Sequence, residues 1–236
     1  MLSENGSVNA VEFRRITDTE PRPFASSWQQ LADRLSVHRV TTDKRTGRLW
    51  SPVTYLPGSR RSIAGVERVN AFVLDLDDTP LDDVRPKLDG LSWLAYSTFS
   101  FDGVAGCHLA VELADPVSVW EWETAWDALF VFFGEVGDRA CRDCSRAFYQ
   151  PQRRPDAPSF FEIHDGRPLD AHSVPALRPR PRTERKTTPA RGGRWWQDEA
   201  WWNEPQDLSR FEGKTQQEIA TMLLAEFRQL RAAEGF

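Results

Sequence analysis

Apolar positions in this chain gather into short runs separated by turn residues, and only a few stretches keep a helical spacing. Ser27-Trp28-Gln29-Gln30 has the form of a capping box, and Trp28, Leu31 and Leu35 then share one helical stripe. Trp50 to Tyr55, among turn residues between Thr46 and Arg61, reads as a short strand in loops. Val69 to Leu76 predicts a buried strand, Leu91 to Thr98 a second and His108 to Leu113 a third. The loop Phe99 to Cys107 between the last two is too short for a crossover helix, and Gly103 and Gly106 loosen it, so an antiparallel hairpin is expected. Asp115-Pro116 is expected to open a helix with proline at its first position. Trp122, Trp126, Leu129, Phe130 and Phe133 carry that helix's apolar face to about Glu135. Ala147-Phe148-Tyr149 and Ser159 to Ile163 predict further strands. Hairpins mixed with helices predict an α+β fold, not a doubly wound parallel sheet.

At 236 residues the chain can bury one substantial core with a smaller appendage, or two small cores. No apolar run reaches the length of a membrane span, no signal-peptide pattern opens the chain, and three cysteines do not make a disulfide scaffold. A cytoplasmic location without a membrane partner is therefore expected. The net charge of −5 conceals a basic segment, since Arg178, Arg180, Arg182, Arg185, Lys186, Arg191 and Arg194 face a lone Glu184. Its prolines and glycines make it a linker over 177–194, one that also suits a polyanion. Beyond it, over 195–236, Trp195, Trp196, Trp201 and Trp202 precede a last helix capped by Thr215 and Glu218, with Ile219, Met222, Leu223, Phe227 and Leu230 on one face. That Trp-rich helical tail reads as a docked plug, although clustered aromatics can also stack bases.

The chemistry gathers at Asp75-Leu76-Asp77. Residues i and i+2 of a strand face the same way, so two carboxylates closing an apolar run stand side by side and repel. A divalent cation held by oxygens resolves that, and magnesium or manganese suits such ligands. An Asp-rich turn is the plain alternative, because Asp78, Thr79 and Pro80 follow at once.

Two resemblances compete here. Asp75-Leu76-Asp77-Asp78-Thr79 resembles the haloacid-dehalogenase-like phosphatases, in which Asp75 would be the nucleophile, Asp77 a general acid, Thr98 the strand-end hydroxyl, and Asp138 with Asp143 the acidic motif. That mechanism also needs a cation between the hydroxyl and the acids, and no Lys or Arg stands between Lys87 and Arg139. Over residues 40–172 the chain resembles the archaeo-eukaryotic primase superfamily, in particular the primase–polymerases of plasmids and phages. The matching motifs are Asp75-Leu76-Asp77, Gly106-Cys107-His108, and Asp138 followed by Arg146. Trp50-Ser51-Pro52, Tyr96-Ser97-Thr98-Phe99-Ser100, Ser145 to Pro151 and Gly166-Arg167-Pro168-Leu169-Asp170 surround them in the same order. Gln150 and Gln152 depart from the more apolar run that relatives carry.

The resemblance implies a catalytic domain over 1–176, with an RRM-like sheet and a small N-terminal αβ portion over about 1–68. It implies template-directed nucleotidyl transfer from nucleoside triphosphates on single-stranded DNA or a primer–template. Asp75, Asp77 and Asp138 would hold two magnesium or manganese ions, and His108 and Arg146 would take the triphosphate. No Gly-x-x-x-x-Gly-Lys-Ser/Thr sequence occurs, so a helicase would be a separate chain or an absent region. Cys141-Arg142-Asp143-Cys144, with Cys107 and His108, offers zinc as a competing use of that histidine, but a single Cys-x-x-Cys is no zinc signature. A third reading is a non-catalytic domain that only binds DNA.

Overall fold

In the computed structural model the described residues are 9–174, so the basic segment and the Trp-rich tail with its Thr215–Glu218 cap lie outside them. Strands β1 (Ala10–Phe13) and β2 (Arg22–Ala25) form an antiparallel hairpin. Helix α1 (Trp28–Leu35) follows, its first turn closed by Ser27 Oγ, which accepts the Gln30 N–H at 3.2 Å. The reciprocal half of the capping box is shifted by one residue, for Gln30 Oε1 accepts from Ser26. Trp28, Leu31 and Leu35 are buried, as their spacing predicts. Next come β3 (Arg39–Val40), β4 (Leu49–Ser51) and β5 (Val53–Tyr55).

Trp50 to Tyr55 is thus two strands, not one. Pro52 has no N–H to give a ladder, and the chain changes sheets there. β4 lies between β1 and β9 (Phe148–Tyr149) in a four-stranded antiparallel sheet of order β2-β1-β4-β9, while β5 goes to the edge of the larger sheet. The larger sheet holds β6 (Val66–Leu76), β7 (Trp93–Ser97), β8 (Cys107–Ser118) and β11 (Phe161–His164), in the order β11-β7-β8-β6-β5. Every pairing in it is antiparallel. The short helix α2 (Leu81–Val84) links β6 to β7, and the expected hairpin joins β7 to β8. A further two-residue strand, β10 (Gln152–Arg153), pairs in parallel with β3. The described residues are a mixed α+β fold built on antiparallel sheets. None of their helices is long and apolar enough to cross a membrane.

Helix α3 (Val119–Phe132) starts after Ser118, not at Pro116. β8 continues through Asp115-Pro116 because its Val117 and Ser118 pair with Val69 and Arg68 of β6. The proline sits in the irregular stretch between that pairing and Ala71↔Glu112, a place where its missing N–H costs no ladder bond. Leu169 fills the gap, accepting the Ala114 N–H and donating to Glu112 O. α3 then lays Trp122, Trp126, Leu129, Phe130 and Phe133 on one face of the sheet, where Phe72 stacks on Phe133 at 5.4 Å. Side chains alternate along β6, so Phe72 and Asp75 face opposite sides. The helix layer therefore covers one face of the sheet and leaves the other to Asp75.

Candidate active site

Cross-strand register builds the centre of the site. Tyr96 on β7 pairs with His108 on β8, and His108 pairs with Asp75 on β6. Paired residues share a face, so the three form a row across the sheet, away from α3. Asp75 and His108 are 8% and 5% exposed. Asp77 lies beyond the last residue of β6 and is exposed, so the two carboxylates are not equivalent neighbours on one strand. The chain leaves the sheet after Leu76, whose carbonyl accepts the Gly106 N–H, and turns toward Pro80.

Asp138 follows α3 in the chain, at the start of a 3-10 turn. Its N–H donates to the Asp75 carbonyl at 2.9 Å, and its Oδ1 caps a short 3-10 turn by accepting from Ala140 N at 2.8 Å. That approach requires Gly137, which has φ +88° and whose added Cβ would stand 2.9 Å from Asp75 O. Gly137→Ala is expected to cost about 1–3 kcal/mol and pull Asp138 away from the strand end. Thermal unfolding and amide exchange at Asp138 check this; an unchanged midpoint with a protected Asp138 amide would contradict it. Arg146 is anchored nearby, its carbonyl accepting from Ser51 Oγ at 2.8 Å.

One nitrogen of Arg146 bridges the two acids. Nη2 lies 2.8 Å from Asp138 Oδ2 and 3.3 Å from Asp75 Oδ2. Burial pushes the Asp75 carboxyl up, but His108, with both ring nitrogens protonated, and the Arg146 guanidinium outweigh it and hold the group below its ordinary value. Asp77 goes the other way: although it is exposed, partial loss of solvent around its carboxyl and the neighbouring Asp75 charge raise it, against a smaller opposing effect of Lys44.

Hydrogen-bond directions orient His108. Trp50 Nε1 can only donate to Tyr96 Oη (2.6 Å), and the Tyr149 carbonyl can only accept from it (2.9 Å). Tyr96 has one proton, which goes to that carbonyl, so His108 Nδ1, 2.9 Å away, must carry the hydrogen it shares with Tyr96. Nε2 of the neutral ring is then an acceptor pointing at Asp75 Oδ1, 3.4 Å away. Two acceptors do not satisfy each other, and Oδ1 is a buried oxygen without a hydrogen bond. A second proton on the ring, or a cation at the carboxylate, would supply what it lacks.

Around this row opens a cleft of about 590 Å³, within the usual range for a small-molecule site. Asp75, Asp77 and Asp143 line it, and so do Lys44, Arg61, Arg146 and His108. Lys44 and Arg61 were not among the residues read from sequence. Lys44 rides on a 3-10 turn and stands 5.4 Å from the Tyr149 ring. Arg61 donates to Ile16 O at 2.7 Å and covers the Phe13 ring. Both sit in polar loops of the N-terminal portion, where nothing local distinguishes them from solvated cations.

A hard divalent ion fits part of this arrangement. Asp75 offers an orphaned carboxylate oxygen and Asp77 a charge its surroundings resist, which together suit magnesium or manganese. The expected convergence of Asp138 on the same point is not present, because Arg146 already neutralises it and the 3-10 turn holds its other oxygen. Asp143, which lines the cleft, is committed through Oδ1 to Ser145. Among the described residues no three His, Cys, Asp or Glu side chains form a group that could hold a metal ion. Cys107, Cys141 and Cys144 are free and buried, and burial pushes the first two up to about 12 and the third to about 11.

No family model matches the chain, and no curated protein matches it. Among solved structures, the primase–polymerase (AEP domain) of cyanophage S-2L is similar at 16% identity, over 71% of this chain and 86% of that one, with a TM-score of 0.44. A likeness of that size establishes neither family nor activity.

Proposed function

We propose that this chain is a template-directed nucleotidyltransferase of primase–polymerase type, acting in the replication of a plasmid, phage or related mobile element. The observation that carries the proposal is the mixed lining of the cleft, in which Asp75 and Asp77 stand together with His108, Arg146, Lys44 and Arg61. An anionic pair suits a divalent ion and a cationic surround suits a triphosphate, and nucleotidyl transfer needs both in one place. The order of the central sheet supports an RRM-like reading, since β6 is followed by a helix, β7, β8 and a second helix, with β6 and β8 adjacent.

Asp75 and Asp77 would hold magnesium or manganese, with Asp138 the third candidate ligand and Asp143 its alternative. A bound pair of ions neutralises charge on the attacking 3′-oxygen and the departing pyrophosphate. His108 and Arg146 would take the triphosphate oxygens, the guanidinium as a fork and the ring as a single contact. Trp50 and Tyr96 act at one remove, by holding the imidazole through its Nδ1. The phosphatase reading loses its support, because the segment from Thr98 to His108 is a hairpin turn and the sheet is antiparallel.

Primer extension and de novo priming on a single-stranded template, with ribo- and deoxynucleotides and manganese or magnesium, test the proposal. Incorporation with at least one nucleotide set is the expected result. The ion pairs of Arg146 favour one other reading, a non-catalytic DNA-binding domain whose acids are permanently neutralised. That reading gains if titration shows neither manganese nor triphosphate binding.

A further inference from the structure

We infer that the parallel pair β3–β10, with the turn it clamps, is the track along which single-stranded nucleic acid approaches the cleft by its phosphates; this rests on the nucleotidyl-transfer reading above. Arg39, Lys44, Arg45, Arg153 and Arg154 are brought together there from two distant stretches of sequence. Thr41 N donates to Arg153 O and Arg39 N to Pro151 O, which ties β3 to β10. Arg39 Nη1 donates to Thr46 O at 2.8 Å, so its guanidinium lies against the turn that carries Lys44 and Arg45. Gln152, buried in β10, donates from Nε2 to Lys44 O at 3.1 Å. Gly47 closes the clamp: an added Cβ would stand 2.5 Å from Gln152 Oε1.

These cations are held in place without being neutralised. None of the five makes an ion pair among the described residues; Arg14, Arg15, Arg34, Arg60, Arg61, Arg68, Lys87 and Arg167 share that property, but the five are gathered by one strand pair and its turn. Arg39 and Arg153 use their contacts on backbone carbonyls, which leaves their charge and most of their donors free. Asp43 stands in the same turn, its Oδ1 capping it by accepting Arg45 N. A protein of net charge −5 repels a polyanion from most of its surface, so five unpaired cations on one clamp mark where a phosphate chain is admitted. The track is continuous with the chemistry, because Lys44 also lines the cleft.

The test compares the full chain with Arg39→Gln/Arg45→Gln/Arg154→Gln, which replaces none of the residues lining the cleft. Fluorescence anisotropy with a labelled single-stranded oligodeoxynucleotide is measured against salt, and manganese–triphosphate binding is titrated alongside. Removing three phosphate contacts should weaken the oligonucleotide roughly ten- to a hundredfold and lower the slope of log affinity against log salt by about 2. Triphosphate binding should stay within about twofold. The double variant Arg45→Gln/Arg154→Gln, whose side chains hold no hydrogen bond or ion pair among the described residues, repeats the test without disturbing the clamp. An unchanged affinity and slope, with the loss appearing instead in Arg180→Gln/Arg182→Gln/Arg185→Gln, overturns the inference in favour of the basic segment. Failure of the wild-type chain to bind triphosphate would sink the cleft reading instead, and the oligonucleotide comparison separates the two.

Discussion

Asp75→Ala and Asp77→Asn should each reduce nucleotide incorporation by on the order of a thousandfold while leaving the fold intact. The two acids are the best-fitting cation ligands in the cleft, and a bound divalent ion is worth several kcal/mol of charge stabilisation. Their effects on stability should differ in sign. Asp75 is held below its ordinary value by a doubly protonated His108 and by Arg146, so paired with them its carboxylate stabilises the fold, and that contribution disappears as pH falls through the lowered value. Asp77 is held above its ordinary value, so ionising it opposes folding once pH rises through the raised value. Asp77→Asn should therefore raise the melting temperature at pH 7, with the gain vanishing in acid. Primer extension and melting curves at pH 7 and pH 3 check both halves. Wild-type incorporation in either variant would remove these acids from the mechanism.

His108→Asn separates triphosphate binding from ion binding. The asparagine amide can replace Nδ1–H as donor to Tyr96 Oη but has nothing in the place of Nε2. A lost hydrogen bond to a charged phosphate is worth about 1.5–3 kcal/mol, roughly ten- to a hundredfold in affinity. Isothermal titration should show that loss for a nucleoside triphosphate, with manganese binding preserved and the melting temperature close to wild type. Unchanged triphosphate affinity leaves the cleft without its second motif and favours the DNA-binding alternative. A zinc role for His108 predicts a different result, in which His108→Asn and Cys141→Ala both release zinc and destabilise the chain.

Local pattern alone determined a good deal here. The apolar run before Asp75 has to be a buried strand, and the short glycine-bearing loop after Thr98 leaves no room for anything but a hairpin. Together these place Asp75 and His108 at neighbouring strand ends. The stripe from Trp122 to Phe133 likewise requires a helix packed on a sheet, wherever its first residue falls. Pairing between distant segments settled the rest, because periodicity records which way a side chain faces but not what it meets. Pro116 stayed in β8 because β6 offers Val69 and Arg68 as partners beyond it, a fact absent from the local sequence. Pro52 splits an apparent strand because two different sheets compete for its flanks. Asp138 turned to Arg146, and Lys44 and Arg61 entered the cleft, through contacts across long stretches of chain. Sequence could name the acids; only the closing of the sheets decided which cations stand against them.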